Sequence, residues 1–379
     1  MKKIVIYFPI LISILLIAPA FLIPFSPDKL SSFYYRELIY LNIAKDLEKE
    51  NDRDTIINIF KYVSDNMMHV TGYGVVDKTP FNDLIRGIAW CDQQGFLFMN
   101  LLNKVGINKT RLRDVQAHTY SEVYFDDKWA IVDPFHGFLP LDSENKFLGT
   151  SDLEDNTIHD QNGLIKALNF ASSSDGIFTG NDYKKTYIPS EGRYINGEGE
   201  EFLEFRSYNV LRESIELYNK IAYYIFGKFY FDWVQNTHLK SNKVNNMIDP
   251  GDKWVTSYKD YYQKNNKSFG IFYKARNYDI AKRFQKASNL YTDLSEKYPE
   301  SYWSKEAKLY LAILKYRQMN YIDAEVLFKD LYNDDFLRKN LAGYYLGLIS
   351  VQNKNYKKAS DYFSLSDYYH SKIELSNIQ

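Results

Sequence analysis

Arg86-Gly87-Ile88-Ala89-Trp90-Cys91-Asp92-Gln93-Gln94-Gly95 opens the stretch on which the reading of this chain turns. It continues through Phe96-Leu97-Phe98-Met99-Asn100-Leu101-Leu102-Asn103-Lys104-Val105 to Gly106. Phe96, Leu97, Phe98, Met99, Leu101, Leu102 and Val105 leave a helix almost no polar face, so the spacing predicts a buried helix. Gly106 suits its C-terminal cap. Cys91 then falls at the N-terminal end, where the helix dipole and the free backbone N–H groups favour negative charge. The same N–H groups can stabilise an oxyanion formed beside the sulfur. Cys91 is the only cysteine in 379 residues. It cannot form an internal disulfide, and is either inert core filler or a reactive thiol.

Downstream, His118 stands in His118-Thr119-Tyr120-Ser121-Glu122-Val123, and Asp133 follows Trp129-Ala130-Ile131-Val132 and precedes Pro134. Both runs are rich in β-branched and aromatic residues and read as strands, over about 118–125 and 128–133. A two-residue turn at Asp126-Asp127 would join them. Tyr120 then faces Asp133, and His118 is its diagonal neighbour on the same side of the hairpin. A thiol, an imidazole to take its proton and a carboxylate to fix the imidazole's tautomer form a nucleophile, base and orienter set. Cys91, His118 and Asp133 are therefore the candidate catalytic residues. Gln93 and Gln94 are candidates for an oxyanion donor or a substrate contact. His136 could join Cys91 in a metal site, but the paired Cys/His spacing of zinc motifs is missing, and no metal or other cofactor is expected. Glu122, on His118's strand face, reads as an exposed carboxylate or as a group supporting the histidine.

Residues 87 to 137 resemble the transglutaminase-like superfamily of papain-fold thiol enzymes. Cys91 falls at that family's nucleophile position, Leu101-Leu102-Asn103-Lys104-Val105-Gly106-Ile107 is similar to the ending of its helix, and Arg111 or Arg113 resembles its following arginine. The histidine strand and the aspartate strand follow in the family's order, although Tyr120 stands where the family often has tryptophan. The resemblance implies an α+β, papain-like domain and thiol acyl chemistry on amide or ester carbonyls. Either water or an amine could accept the acyl group, so hydrolysis and transfer both stay open.

Met1-Lys2-Lys3 precedes an uncharged apolar run from Ile4 to Phe25. About 20 such residues span a hydrocarbon core, and the leading lysines put the rest of the chain outside the cytoplasm. The rival is a cleaved signal peptide, because Ala18 and Ala20 have the spacing of a cleavage site. The apolar residues Phe21 to Phe25 continue past that site, so a retained single-pass anchor in a cell membrane, with the bulk of the chain extracytoplasmic, is the expectation. Tyr34 to Leu47 and Asp54 to Met67 follow a helical pattern, and Thr71 to Pro80 reads as a loop. Residues 140–200 are polar and read as long loops that could cover the site.

The last hundred residues repeat. Phe284-Gln285-Lys286-Ala287 recurs as Tyr321-Ile322-Asp323-Ala324 and as Tyr356-Lys357-Lys358-Ala359, and Tyr310-Leu311-Ala312 recurs as Tyr345-Leu346-Gly347. A period of about 35 residues with small residues at fixed places means stacked helix pairs. The pattern resembles tetratricopeptide repeats, and Lys297-Tyr298-Pro299 fits that family. Such a domain implies a protein partner. Tyr218 to Val234 is apolar and aromatic but carries Lys220, Lys228 and Asp232. It reads as a buried inter-domain helix, with a membrane-facing patch as the alternative.

Hydrophobic residues are 45% of the chain, enough for substantial cores, and the net charge of −1 gives no field to attract nucleic acid. The expected organisation is an anchor over 1–25, a transglutaminase-like domain over 26–200, a helical connector over 201–264 and repeats over 265–379. The expected activity is that of a cysteine peptidase, amidase or acyltransferase acting on a protein or peptide. A non-enzymatic envelope scaffold or binding protein, with cell-wall or surface-polysaccharide assembly as its setting, is the alternative.

Overall fold

The computed structural model describes residues 18–22, 28–67, 80–115, 118–142, 144–154, 166–167, 193–196, 209–240, 244, 266–336, 338–366, 371, 374–375 and 378. The loop expected over Thr71 to Pro80, apart from Pro80, which opens a helix, and most of the 140–200 stretch lie outside them, as does most of the apolar N-terminal run. No helix among the described residues is long and apolar enough to cross a membrane. The architecture is α+β with a helical C-terminal region.

Helices α1 (Asp28–Leu47), α2 (Asp52–Asn66) and α3 (Pro80–Arg86) surround α4 (Cys91–Lys104). Asn51 caps α2 by accepting from the Asp54 backbone N–H at 2.8 Å, and Asp52 and Asp54 complement its N-terminal dipole. α4 is the centre of the core, as its all-round apolar surface requires. Leu97, Phe98, Leu101 and Leu102 are fully buried, each worth about 1.5–3 kcal/mol of transfer free energy. Lys104 at its last turn is buried against Glu37 of α1 and, at 3.1 Å, Glu216. Gly106 takes φ +95 two residues beyond the helix, in the role expected of it.

The strands are β1 (Thr110–Val115), β2 (His118–Phe125), β3 (Lys128–Val132), β4 (Pro140–Leu141), β5 (Lys166–Ala167) and β6 (Arg193–Asn196). An antiparallel sheet runs in the order β3-β2-β1-β6, and β4 pairs with β5 separately. The β2–β3 hairpin turns at Asp126 and Asp127, with φ of 49° and 61°. That is the primed turn whose twist matches its strands. Phe125 pairs with Lys128 and Ser121 with Val132, so Tyr120 comes opposite Asp133 in the expected register. α4 lies close on this sheet at Gly95. A Cβ there would meet Leu112 Cδ2 at 2.7 Å and Ser121 Oγ at 3.0 Å, and Ser121 Oγ donates to Gly95 O at 3.2 Å.

After the short α5 (Thr150–Glu154), α6 (Asn209–Leu239) packs on α1. α6 is broken at Gly227, where φ is 55° and ψ −137°. It differs from the expected buried helix. Tyr230, Phe231 and Val234 are buried, whereas Tyr224, Ile225 and Phe229 are exposed. The helical turn at 18–22 packs on Phe226, Tyr230 and Trp233.

The C-terminal helices are α7 (Asn266–Ile280), α8 (Phe284–Lys297), α9 (Tyr302–Arg317), α10 (Tyr321–Asn333), α11 (Lys339–Gln352) and α12 (Tyr356–Leu365), each packed on the next. The repeated sequence corresponds to a repeated backbone. Lys282, Met319 and Lys354, each two residues before the second helix of a pair, all take φ near 60°. Ala287, Ala324 and Ala359 are all fully buried where neighbouring helices meet.

These helices share one apolar core with α1–α4 and the sheet. The seam is polar at its centre. Arg276 of α7 donates from Nε to Ile85 O at 2.9 Å and from Nη2 to Leu84 O at 3.2 Å. Its Nη1 binds Asp279 at 2.8 Å, and the guanidinium lies 3.7 Å from the centre of the Tyr310 ring. Tyr310 Oη donates to Arg86 O at 3.3 Å. The carbonyls of the last turn of α3, which no intrahelical donor can reach, are thus satisfied by α7 and α9. Gly87 ends α3 in the left-handed region at φ +71, and the chain runs from it directly to Cys91.

Candidate functional site: a thiol, two imidazoles and one carboxylate

Cys91 is the first residue of α4 and is half-buried. Trp90 precedes it in extended conformation and is 37% exposed, so the sulfur sits at a helix N-terminus on the surface side of the core. His118 is the first residue of β2, and Asp133 follows the last residue of β3. The hairpin register brings these two together: His118 Nε2 lies 2.7 Å from Asp133 Oδ2. The Cys91 thiol is near enough to the His118 ring to help raise its pKa. With Nε2 on the carboxylate, Nδ1 is the nitrogen left for the sulfur. Thiol, imidazole and carboxylate are thus neighbours, and the sulfur belongs to the residue that opens α4.

His136 joins this group. Its Nδ1 reaches the same Asp133 Oδ2 at 2.8 Å, and its ring centre is 4.4 Å from that of His118. The backbone N–H groups of Phe135 and His136 donate to Asp133 Oδ1 at 3.0 and 3.3 Å. This is the local turn an aspartate makes with residues two and three ahead. Both oxygens of a fully buried carboxylate are thus satisfied, two donors each. The sequence signal for His136 was present in Asp133-Pro134-Phe135-His136: the tight turn returns the third residue onto the aspartate. Reasoning about His136 as a metal ligand with Cys91 missed this arrangement.

The charges follow from this packing. Burial opposes a charged His118, but the Asp133 carboxylate and the hydrogen bonds to Asp133 and Cys91 outweigh it, and the ring is pushed up to about 10. Burial would raise Asp133, yet the His118 and His136 imidazoles hold it well below the usual carboxylate range. The folded-state value of His118 is raised. Its contribution to stability is therefore complete below the unfolded value of about 6.5 and lost as pH rises to about 10. That of Asp133 is lowered, so its contribution is present above about pH 4 and lost as pH falls below it. Urea midpoints of the wild-type chain should fall at both extremes, and the alkaline fall should disappear in His118→Gln.

His118, Asp133 and His136 offer ligand atoms within 4.8 Å of one another, a separation that would suit a divalent transition metal. An ion there would replace both imidazole–carboxylate hydrogen bonds, so a metal and the grouping with Cys91 are alternative uses of the same groups.

The remaining expected site residues lie at the start of α4. Gln93 is buried, and its Oε1 accepts from the Trp90 backbone N–H at 3.0 Å, which ties the chain just before Cys91 to the first helical turn. Gln94 is also buried, with its amide 3.4 Å from Ala89 O. Glu122 departs from the exposed carboxylate expected of it. It is buried, at 2.6 Å from Arg111 Nε and 3.7 Å from Arg113 Nη1. The cause is Thr150 at the start of α5, which covers this sheet face, donates to Glu122 at 3.4 Å and accepts from Arg113 at 2.7 Å.

Comparison of the chain with models of known families, with curated proteins and with solved structures finds no match. The functional reading therefore stands on the residues and their geometry.

Proposed function

We propose that the chain is a thiol enzyme of the transglutaminase-like, papain-fold type, with Cys91 as nucleophile, His118 as base and acid, and Asp133 as the group that orients His118. The single observation that carries this reading is the His118 ring, hydrogen-bonded to Asp133 on one nitrogen and with the Cys91 thiol near enough to help raise its pKa. In the reaction, the thiol proton already rests on His118 as an imidazolium beside the sulfur, and the Cys91 thiolate bonds to the carbonyl carbon of an amide. The oxyanion forms beside the N–H groups that open α4. The C–N bond then breaks, and the amine leaves with the proton from His118. Water, deprotonated by the same imidazole, attacks the thioester to release a carboxylic acid and restore the thiol; an amine acceptor would instead give a new amide. The substrate class is a protein or peptide amide.

The apolar run from Ile4 to Phe25 supports a single-pass anchor with the enzyme on the outer side of a cell membrane. The recurring left-handed turns and buried alanines of α7–α12 support a tetratricopeptide-like array for docking a protein partner.

The test is chemical and needs no known substrate. At pH 7, iodoacetamide should label Cys91 about 100 times faster in the wild-type chain than in His118→Ala, in line with the usual weight of a positioned base. Mass spectrometry of the Cys91 peptide gives both rates. Equal rates in the two folded chains would leave the site as the inert centre of a scaffold and end the enzymatic reading.

A further inference from the structure

The exposed side of α6 meets the apolar N-terminal run. The helical turn at 18–22 belongs to the run from Ile4 to Phe25. Within it, Phe21 packs on Phe226, Tyr230 and Trp233 with ring centres 5.7, 5.5 and 5.0 Å apart. Tyr230 Oη also donates to Ala20 O at 3.2 Å. The point to which the run is fastened is where Gly227 breaks α6, and among the described residues apolar side chains there stay exposed. Tyr224 is 91% exposed, Phe229 70% and Leu22 67%.

A groove of about 890 Å³ opens beside Tyr224 and Ile225. It runs between Leu41 of α1 and Val105–Gly106 after α4, and Lys45 and Lys220 stand along it. The same surface thus offers aromatic rings, an apolar slot and long cationic side chains. This is the composition of a helix lying in the boundary between headgroups and acyl chains, where tyrosine settles at the interface and lysine stems keep their ammonium groups in water.

We propose that this face of α6 docks on a phospholipid bilayer, and that the groove takes up a lipid acyl chain. Membrane contact is then made by the folded body as well as by the N-terminal run. The inference rests on the run being retained as an anchor. Its continuity with Phe21 selects a bilayer over a protein as the occupant: a span that leaves the membrane at this point delivers Tyr224 and Phe229 to the lipid surface.

The experiment uses the full chain in nanodiscs of phosphatidylethanolamine and phosphatidylglycerol whose acyl chains carry bromine, a quencher of tryptophan. Tyr224→Trp is compared with Ile322→Trp, an exposed site on α10, after subtraction of the wild-type emission. The tryptophan at 224 should lose more than about half of its emission and that at 322 almost none, because interfacial side chains enter only about 5–10 Å of the lipid. Equal quenching at the two positions, with the chain still membrane-bound after alkaline extraction, overturns the docking proposal and leaves the anchor standing. Release of the wild-type chain by alkaline extraction overturns both.

Discussion

Asp133→Ala should destabilise the protein by about 3–5 kcal/mol, the cost of stripping the partner from a buried charge, and should slow Cys91 alkylation to the level of His118→Ala. The carboxylate is fully buried and accepts four hydrogen bonds. Its removal leaves the N–H groups of Phe135 and His136 without an acceptor and the His118 imidazolium without a counter-charge. Asp133→Asn separates the two consequences. The amide keeps the shape and one acceptor oxygen, so urea denaturation should show a loss nearer 1–2 kcal/mol. Its nitrogen cannot accept from an imidazole, so His118 loses the partner that selects its tautomer, and alkylation should still fall by about 100-fold or more. An Asn variant that alkylates at the wild-type rate would remove Asp133 from the proposed mechanism while leaving its structural role intact.

Gly87→Ala is expected to cost about 3 kcal/mol or more. A Cβ at this position would sit 1.8 Å from Tyr310 Oη and 3.1 Å from its Cζ, and the backbone is left-handed. Left-handed strain contributes about 1–2 kcal/mol and overpacking about 1–3. Tyr310 has no room to retreat, because Arg276 lies 3.7 Å over its ring and Arg338 lies 5.4 Å from it on a guanidinium that is paired with Glu306 at 2.6 Å. Tyr310→Phe removes the clashing hydroxyl. The double variant should therefore be less destabilised than the sum of the two single changes, by about 1 kcal/mol in a thermal or urea cycle. Strict additivity would mean that the hydroxyl is not what excludes a side chain at 87.

The parts of this structure that could be read from the sequence are those governed by local rules. The helix from Cys91 to Lys104 announces itself by an apolar surface that only burial can satisfy. The hairpin follows from two strand-like runs separated by Asp126-Asp127, residues that tolerate positive φ, and its register brings His118 to Asp133. The repeats were visible because one set of small residues recurs. β1 was missed: Thr110-Arg111-Leu112-Arg113-Asp114-Val115 has only Leu112 and Val115 to bury, and its strand character comes from pairing with β2. The burial of Glu122 depends on Thr150, and that of Arg276 on carbonyls more than a hundred residues earlier, so neither leaves a local trace. His136 was weighed only as a metal ligand with Cys91, and its use of the same carboxylate oxygen as His118 comes from the turn geometry. The expectation for α6 erred because an apolar stretch indicates what must leave water and not what it will meet.

Arg276 and Tyr310 complete the final turn of the helix that leads into Cys91. A chain cut before residue 266 would therefore expose three bare carbonyls and an unsealed apolar surface a few residues before Cys91. The consequence is evolutionary as much as practical. The half that carries Cys91 cannot be traded between proteins like a detachable cassette, and gene rearrangements that part it from its helical array should be purged at the level of folding, before any activity is put to selection.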